Sequence, residues 1–195
     1  MAGSVRVGVL ALQGAFREHV LALEVLGVKV TAVRLPSQLA ELDGLVIPGG
    51  ESTAISKLMA TYEFYEPIVE RVAEGMAVWG TCAGAILIAK NVVDGIPDQR
   101  GLELMDIDVR RNAFGRQKDS FEVDLDFGHL DSKYPGVFIR APRIERIGPD
   151  VEVLSMHEHA IVAAREGRFM ATSFHPELTG DPRVHRYFVE SVIGT

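Results

Sequence analysis

Cysteine is almost absent from this chain. A single residue, Cys82, serves all 195 positions. That excludes an internal disulfide framework and a zinc site built from several cysteines. Basic residues are in the minority, 20 against 27 acidic, for a net charge of −7, and they are scattered. A nucleic-acid partner needs a concentrated basic face, so none is expected. No apolar run is long enough to span a bilayer. Residues 1–6 lead into a strand pattern without a charged-then-apolar leader. A soluble, cytoplasmic protein without a membrane partner is expected. Internal repeats, low-complexity segments and linkers are also missing. What remains is an ordinary globular balance, 47% hydrophobic and 24% charged. The length suits one domain, residues 1–195, with one sizeable core.

The first half alternates strand and helix patterns. Residues 5–12 read as a strand and residues 15–26 as a helix. Val20, Leu23, Val25 and Leu26 mark its apolar face, and Gly27 ends it. Strands follow at 28–35 and 44–47. The turn Pro48-Gly49-Gly50-Glu51-Ser52-Thr53 then opens a helix, with Ser52 or Thr53 as candidate N-cap. A second helix spans about 65–74, before an apolar strand at 76–79. Residues 102–110, 121–125, 137–141, 151–155, 160–164 and 169–173 read as short strands joined by Gly, Pro and Asp turns. Asp181-Pro182 starts a last helix through Val192. The pattern predicts an α/β three-layer sandwich: a mostly parallel central sheet, helices on both faces, and a small antiparallel extension. In open α/β sheets ligands bind beyond the carboxyl ends of the strands. Three such ends lead into Gln13-Gly14, Pro48-Gly49-Gly50 and the cysteine.

Cys82 sits in Gly80-Thr81-Cys82-Ala83-Gly84, between an apolar strand and an apolar run at 85–89. This is a strand-turn-helix elbow with glycines where a Cβ would clash. A helix N-terminus favours an anion, and so a thiolate. The competing reading is a buried structural cysteine. A cysteine nucleophile needs a base, and the base an orienting partner. His175-Pro176-Glu177 follows a strand pattern, and residues two apart on extended chain share a side. Proline after His175 keeps that residue extended, so Glu177 can reach the imidazole. The Gly49-Gly50 turn lacks the Lys and Ser/Thr of a P-loop. The Gly50 and Ala83 amides could instead form an oxyanion hole. His19, beside Glu18 in the first helix, reads as a partly exposed surface group. His157 and His159 form an H-x-H pair without an evident third metal ligand. The alternating Asp106/Asp108 and Asp124/Asp126 read as solvated strand faces.

Together, the cysteine elbow and His175-Pro176-Glu177 resemble the triad of class I glutamine amidotransferases. Three further segments narrow the resemblance: residues 12–19 (LQGAFREH), residues 48–53 (PGGEST), and residues 111–117 (RNAFGRQ) leading to 119–122 (DSFE). With residues 138–142 (FIRAP) they resemble the glutaminase subunits of pyridoxal 5′-phosphate synthases, nearly end to end.

That resemblance implies hydrolysis of L-glutamine to glutamate and ammonia through a γ-glutamyl thioester. It implies Cys82 as nucleophile, His175 as base and acid, and Glu177 as its orienting partner. Gly50, Glu51, Ser52, Arg111, Ile139 and Arg140 would bind glutamine, and the Gly50 and Ala83 amides would hold the oxyanion. It implies no metal or organic cofactor. The implied partner is a synthase (lyase) subunit in a large hetero-oligomeric ring complex, which uses the ammonia to make pyridoxal 5′-phosphate. Three alternatives remain open at this level: the glutaminase of another biosynthetic complex, a cysteine hydrolase or chaperone with a similar elbow, and a glutamine-binding regulatory subunit without turnover.

Overall fold

The computed structural model describes residues 5–96, 99–111, 113 and 120–194. The first half runs β1 (Arg6–Leu10), α1 (Phe16–Glu24), β2 (Lys29–Val33), β3 (Gly44–Ile47), α2 (Ser52–Thr61), α3 (Tyr65–Ala73), β4 (Ala77–Thr81) and α4 (Ala83–Ile88). Then come β5 (Ala89–Val92), β6 (Met105–Arg110), β7 (Ser120–Leu125), β8 (Tyr134–Ile139), β9 (Arg143–Ile147), β10 (Glu152–His157), β11 (Ala160–Glu166) and β12 (Phe169–Thr172). The chain closes on α5 (Arg183–Tyr187), prolonged by a wider π-helical stretch, Phe188–Ile193.

Ten strands form one sheet in the order β2-β1-β3-β4-β12-β11-β9-β6-β5, with β10 added to β11. From β2 to β12 neighbours are parallel. The joins of β11 to β12, β9 and β10, and of β6 to β9, are antiparallel. β7 and β8 make a separate antiparallel hairpin. The expected α/β sandwich with a small antiparallel extension is therefore the observed architecture.

The central strands β3 and β4 are buried along their whole length, as continuous apolar runs in a parallel sheet should be. Side chains alternate between the two faces. Leu45, Ile47 and Val78 pack with Ile55, Met59, Ile68 and Leu87 from α2, α3 and α4. Val46, Ala77 and Trp79 pack with Leu23 of α1 and Phe188 and Val192 of the C-terminal helix. Two helical layers thus cover one sheet. α4 is buried on every side, so it belongs to the interior and not to an amphipathic surface.

Register decides where the chemistry falls. Ile47 pairs with Gly80, and Thr172 pairs with Thr81. The carboxyl ends of β3, β4 and β12 therefore lie at one level. The Cys82 amide donates to the Thr172 carbonyl at 2.8 Å and continues the ladder one residue into the elbow.

Several expectations need correction. The helix expected to include Ala89 stops at Ile88, because Ala89 pairs with Met105 in β5. β9 escapes the sequence pattern because three of its five residues, Arg143, Glu145 and Arg146, are charged. Two of these side chains are satisfied across the sheet: Arg110 Nε donates to Glu145 at 2.5 Å, and Arg146 pairs with Asp106 at 2.6 Å and Asp108 at 3.1 Å. The strand expected at 102–110 begins only at Met105. Val25 does not join the apolar face of α1; it lies beyond the last turn and is 77% exposed.

Candidate active site

The elbow places Cys82 in a backbone conformation that few L-residues adopt, φ 49° and ψ −104°. Such strain persists only where the surroundings enforce it. The glycines around it show how. A Cβ on Gly84 would stand 1.9 Å from the Ile47 carbonyl oxygen, and one on Gly80 would stand 2.4 Å from the Gly84 backbone. Only bare backbone lets α4 press this closely on β3 and β4. The thiol lies 3.9 Å from the Ile139 carbonyl.

His175 follows β12 and is buried, and its amide donates to the Val137 carbonyl at 2.8 Å. Its Nδ1 lies 2.7 Å from Glu177 Oε1. The pair meets by a different geometry from the one expected. Pro176–Leu178 is a single 3-10 turn and not extended chain, with His175 (φ −104°, ψ 86°) as its N-terminal flank. The turn brings the Glu177 carboxylate back under the ring. Burial alone would pull the His175 imidazole down. Hydrogen bonding to Cys82 and Glu177 outweighs it and pushes His175 up to about 10. Burial pushes Glu177 up, but His19 and the His175 hydrogen bond together hold it below the usual carboxylate range. The three residues thus meet in space with their charges coupled.

A cavity of about 420 Å³ opens over the thiol. Gly50, Glu51, Ser52, Cys82, Ala83, Arg111, Ile139, Arg140 and His175 all line it, joined by Gln13 and Ile86. Every site residue expected from the sequence except the buried Glu177 therefore faces one space. A larger depression of about 730 Å³, lined by residues 126–128, 130–133 and 153–156, has no cysteine or histidine among its lining residues.

Glu51 carries more structure than expected. It, and not Ser52 or Thr53, is the N-cap of α2, accepting from the Thr53 amide at 3.0 Å and the Ala54 amide at 2.7 Å. A carboxylate outcompetes a hydroxyl there because two orphan amides and the helix dipole both favour the charge. Its Oε1 lies 3.6 Å from the Arg111 guanidinium, which also donates to Gln99 at 3.3 Å. Ser52 is buried, its hydroxyl 3.5 Å from Gln99 Oε1. Ile139 turns its side chain outward and offers its carbonyl to the thiol. Arg140 is held at φ 42° on the cavity rim. Of the motif spanning 111–117, Asn112 and residues 114–117 lie outside the described residues, as do Lys118 and Asp119.

Gln13 is the functional candidate that sequence reasoning leaves without a role, although its motif stands out. Its Oε1 accepts the Glu51 amide at 3.0 Å, and the neighbouring Ala15 amide donates to the Gly49 carbonyl at 3.0 Å. Gly14, at φ 94°, would place a Cβ 1.9 Å from that same carbonyl. The 13–15 segment is thus clamped onto the Gly49-Gly50 turn. His19 is the clearest correction: it is not a surface group but fully buried, beside Glu177. Its neighbour Glu18 is exposed as the helix period requires. His157 packs its ring against Phe121 and Phe138, centroids 5.4 and 6.0 Å away. Among the described residues no group of three or more His, Cys, Asp or Glu could hold a metal ion, and no helix is long and apolar enough to cross a membrane.

Comparison with known proteins identifies the family. A protein named pyridoxal 5′-phosphate synthase subunit PdxT in Mycolicibacterium smegmatis is 56% identical over 95% of this chain and 98% of its own. One of the same name in Herpetosiphon aurantiacus is 55% identical over 94% and 98%. A crystal structure of a glutamine amidotransferase superposes with a TM-score of 0.91 at 50% identity, covering 97% of this chain and 99% of that one. A chain in the structure of PurLQS from Thermotoga maritima shares the fold alone, at TM-score 0.70 and 17% identity over 96% and 98% of the two chains. Residues 9–194 match the SNO glutamine amidotransferase family, and the chain belongs to that family.

Proposed function

We propose that this protein, a single glutamine amidotransferase domain over 1–195, hydrolyses L-glutamine to L-glutamate and ammonia. The ammonia would serve a synthase (lyase) subunit making pyridoxal 5′-phosphate, in a large hetero-oligomeric ring complex. Family membership and the names of the relatives support the glutaminase and its pathway. The observation that carries the chemistry is the meeting of Cys82, His175 and Glu177 at a cavity whose rim bears Arg111.

In this reading Cys82 attacks the side-chain carboxamide carbon, and its proton goes to His175. An imidazole held up by Glu177 and the thiol is suited to keep that proton. The tetrahedral oxyanion takes hydrogen bonds from the Gly50 and Ala83 amides. Ala83 opens α4, where first-turn amides have no partner within the helix. Collapse expels ammonia, protonated by His175, and leaves a γ-glutamyl thioester. Water, losing its proton to His175, then hydrolyses the thioester. Arg111 presents a planar fork to the substrate α-carboxylate, while Glu51 steadies that guanidinium. Gly50, Ser52, Ile139 and Arg140 complete the glutamine contacts. The residues need no metal or organic cofactor for these steps.

The test is ammonia release from L-glutamine, with and without the synthase subunit, alongside Cys82→Ala. Release that requires Cys82 and rises with the partner is expected. Turnover that survives Cys82→Ala would refute the nucleophile. No release even with the partner would favour a glutamine binder without turnover.

A further inference from the structure

His19 on the inner face of α1 is a titratable group that the chemistry above does not use. It is fully buried. Its Nε2 lies 3.2 Å from Thr81 Oγ1 and 3.3 Å from Glu177 Oε2. Its Nδ1 lies 2.9 Å from Nε2 of His185, a buried residue of α5. Trp79 packs edge-on against both imidazoles, with centroids 5.5 and 5.0 Å away, and keeps the cluster dry. Among the described residues, Glu177 Oε2 and His185 Nδ1 are buried without a hydrogen-bond partner, so the approach of His19 Nε2 to Glu177 Oε2 is a polar contact and not a formed hydrogen bond. Thr81 immediately precedes the nucleophile.

These contacts define the protons. An N–H on His185 Nδ1 would be a buried donor without an acceptor, which is rarer and costlier than a bare lone pair. The His185 proton therefore sits on Nε2 and is donated to His19 Nδ1. Burial holds both imidazoles below their ordinary value and so neutral. A neutral His19 that accepts at Nδ1 carries its own proton on Nε2, in the gap between Thr81 Oγ1 and Glu177 Oε2. The charged groups around it are Glu177 and His175 at the site and Glu18 on its own helix.

We propose that His19 is a positioning residue for the Cys82-His175-Glu177 set. Its Nε2–H faces one oxygen of Glu177 across 3.3 Å and attracts it electrostatically, so that the other keeps the Nδ1–H of His175 and leaves His175 Nε2 for the thiol proton. The proposal deepens the glutaminase reading and rests on it. It also gives the 13–19 segment two ends: Gln13 and Ala15 clamp the Gly49-Gly50 turn, and His19 braces the carboxylate. One short stretch of chain thus ties the oxyanion side of the site to its acid side.

The experiment compares His19→Gln with His19→Asn in the full chain. The glutamine amide nitrogen falls near the imidazole Nε2 and can reach Glu177; the asparagine amide falls near Nδ1 and cannot. Two readouts are taken: the His175 titration midpoint by NMR, and kcat and KM for ammonia release with the synthase subunit. His19→Gln is expected to keep the midpoint and kcat. His19→Asn frees the carboxylate to turn from His175. It should lower the midpoint by about one pH unit and kcat about tenfold, the scale of losing one buried polar contact to a charged group, with KM within about twofold. Equal behaviour of the two variants overturns the proposal. If His19→Asn does not fold, a His175 midpoint displaced by about one unit in His19→Gln overturns it as well. A wild-type protein that releases no ammonia refutes the glutaminase reading instead, and the NMR midpoints still judge the positioning role.

Discussion

Replacing Gly49 by alanine should disable the site while leaving the fold nearly intact. The new Cβ would stand 2.4 Å from His175 Cε1, 3.0 Å from its Nδ1 and 3.3 Å from Cys82 Cβ. Ordinary carbon contacts begin near ~3.5 Å, so something must retreat by about 1 Å. The Gly49 backbone has little freedom, since its carbonyl accepts the Ala15 amide and abuts Gly14. The imidazole is the softer partner and will swing from both Cys82 and Glu177. A misplacement of about 1 Å in a catalytic group costs about 100-fold, or about 2.7 kcal/mol in the barrier. Overpacking against a side chain should cost about 1 kcal/mol of stability, some 2–4 °C in Tm for a chain of this size. Because Arg111 and the α2 N-terminus are untouched, the loss should fall on kcat and leave KM nearly constant. The assay is steady-state ammonia release with the synthase subunit, paired with thermal unfolding. A variant that turns over within about threefold of wild type would refute this account of the packing.

The Gly14→Ala change should act on the fold instead: a positive φ and a backbone clash at 1.9 Å predict a loss of about 3 kcal/mol, roughly 10 °C in Tm; an unchanged melt would count against the clamp. Glu51→Ala removes the α2 cap and the brace on Arg111. It should cost about 1 kcal/mol in chemical denaturation and raise KM for glutamine more than it lowers kcat. The His175 imidazole is raised in the fold from an ordinary 6.5 to about 10. Its contribution to stability is therefore complete below about pH 6.5 and lost as pH rises through about 10. Glu177→Gln removes one cause of that shift. Its denaturation midpoint should accordingly change less over that window than that of the wild type; parallel profiles would contradict the coupling.

The cysteine elbow is legible because its pattern is local. An apolar strand, two glycines around Cys82 and an apolar run can be read from consecutive residues, and the structure explains both glycines by contacts of their missing Cβ atoms. The parallel half of the sheet is legible for the same reason, through β3 and β4 as unbroken apolar runs. β9 is not, because two of its three charges, Glu145 and Arg146, find partners on β6, a strand distant in sequence. The N-cap of α2 reads as a hydroxyl in the sequence because Glu51 becomes the better acceptor only when two amides converge on it. His19 reads as a surface group because neighbouring Glu18 is charged, yet a helix turns adjacent residues toward different surroundings.

The sequence by itself therefore determined the residue types and their order: one cysteine on a strand-to-helix turn, a His-Pro-Glu after a late strand, and a Gly-Gly turn after an early one. Only the tertiary structure decided that these belong to one site. Parallel pairing of β3, β4 and β12 in fixed register brings three strand ends, separated by dozens of residues, to one level. It likewise buried His19 against Glu177 and His185 against His19, since whether an imidazole faces water or a carboxylate depends on what packs over it. That choice belongs to the packing of α1 and α5 on the sheet, and no local window of sequence contains it.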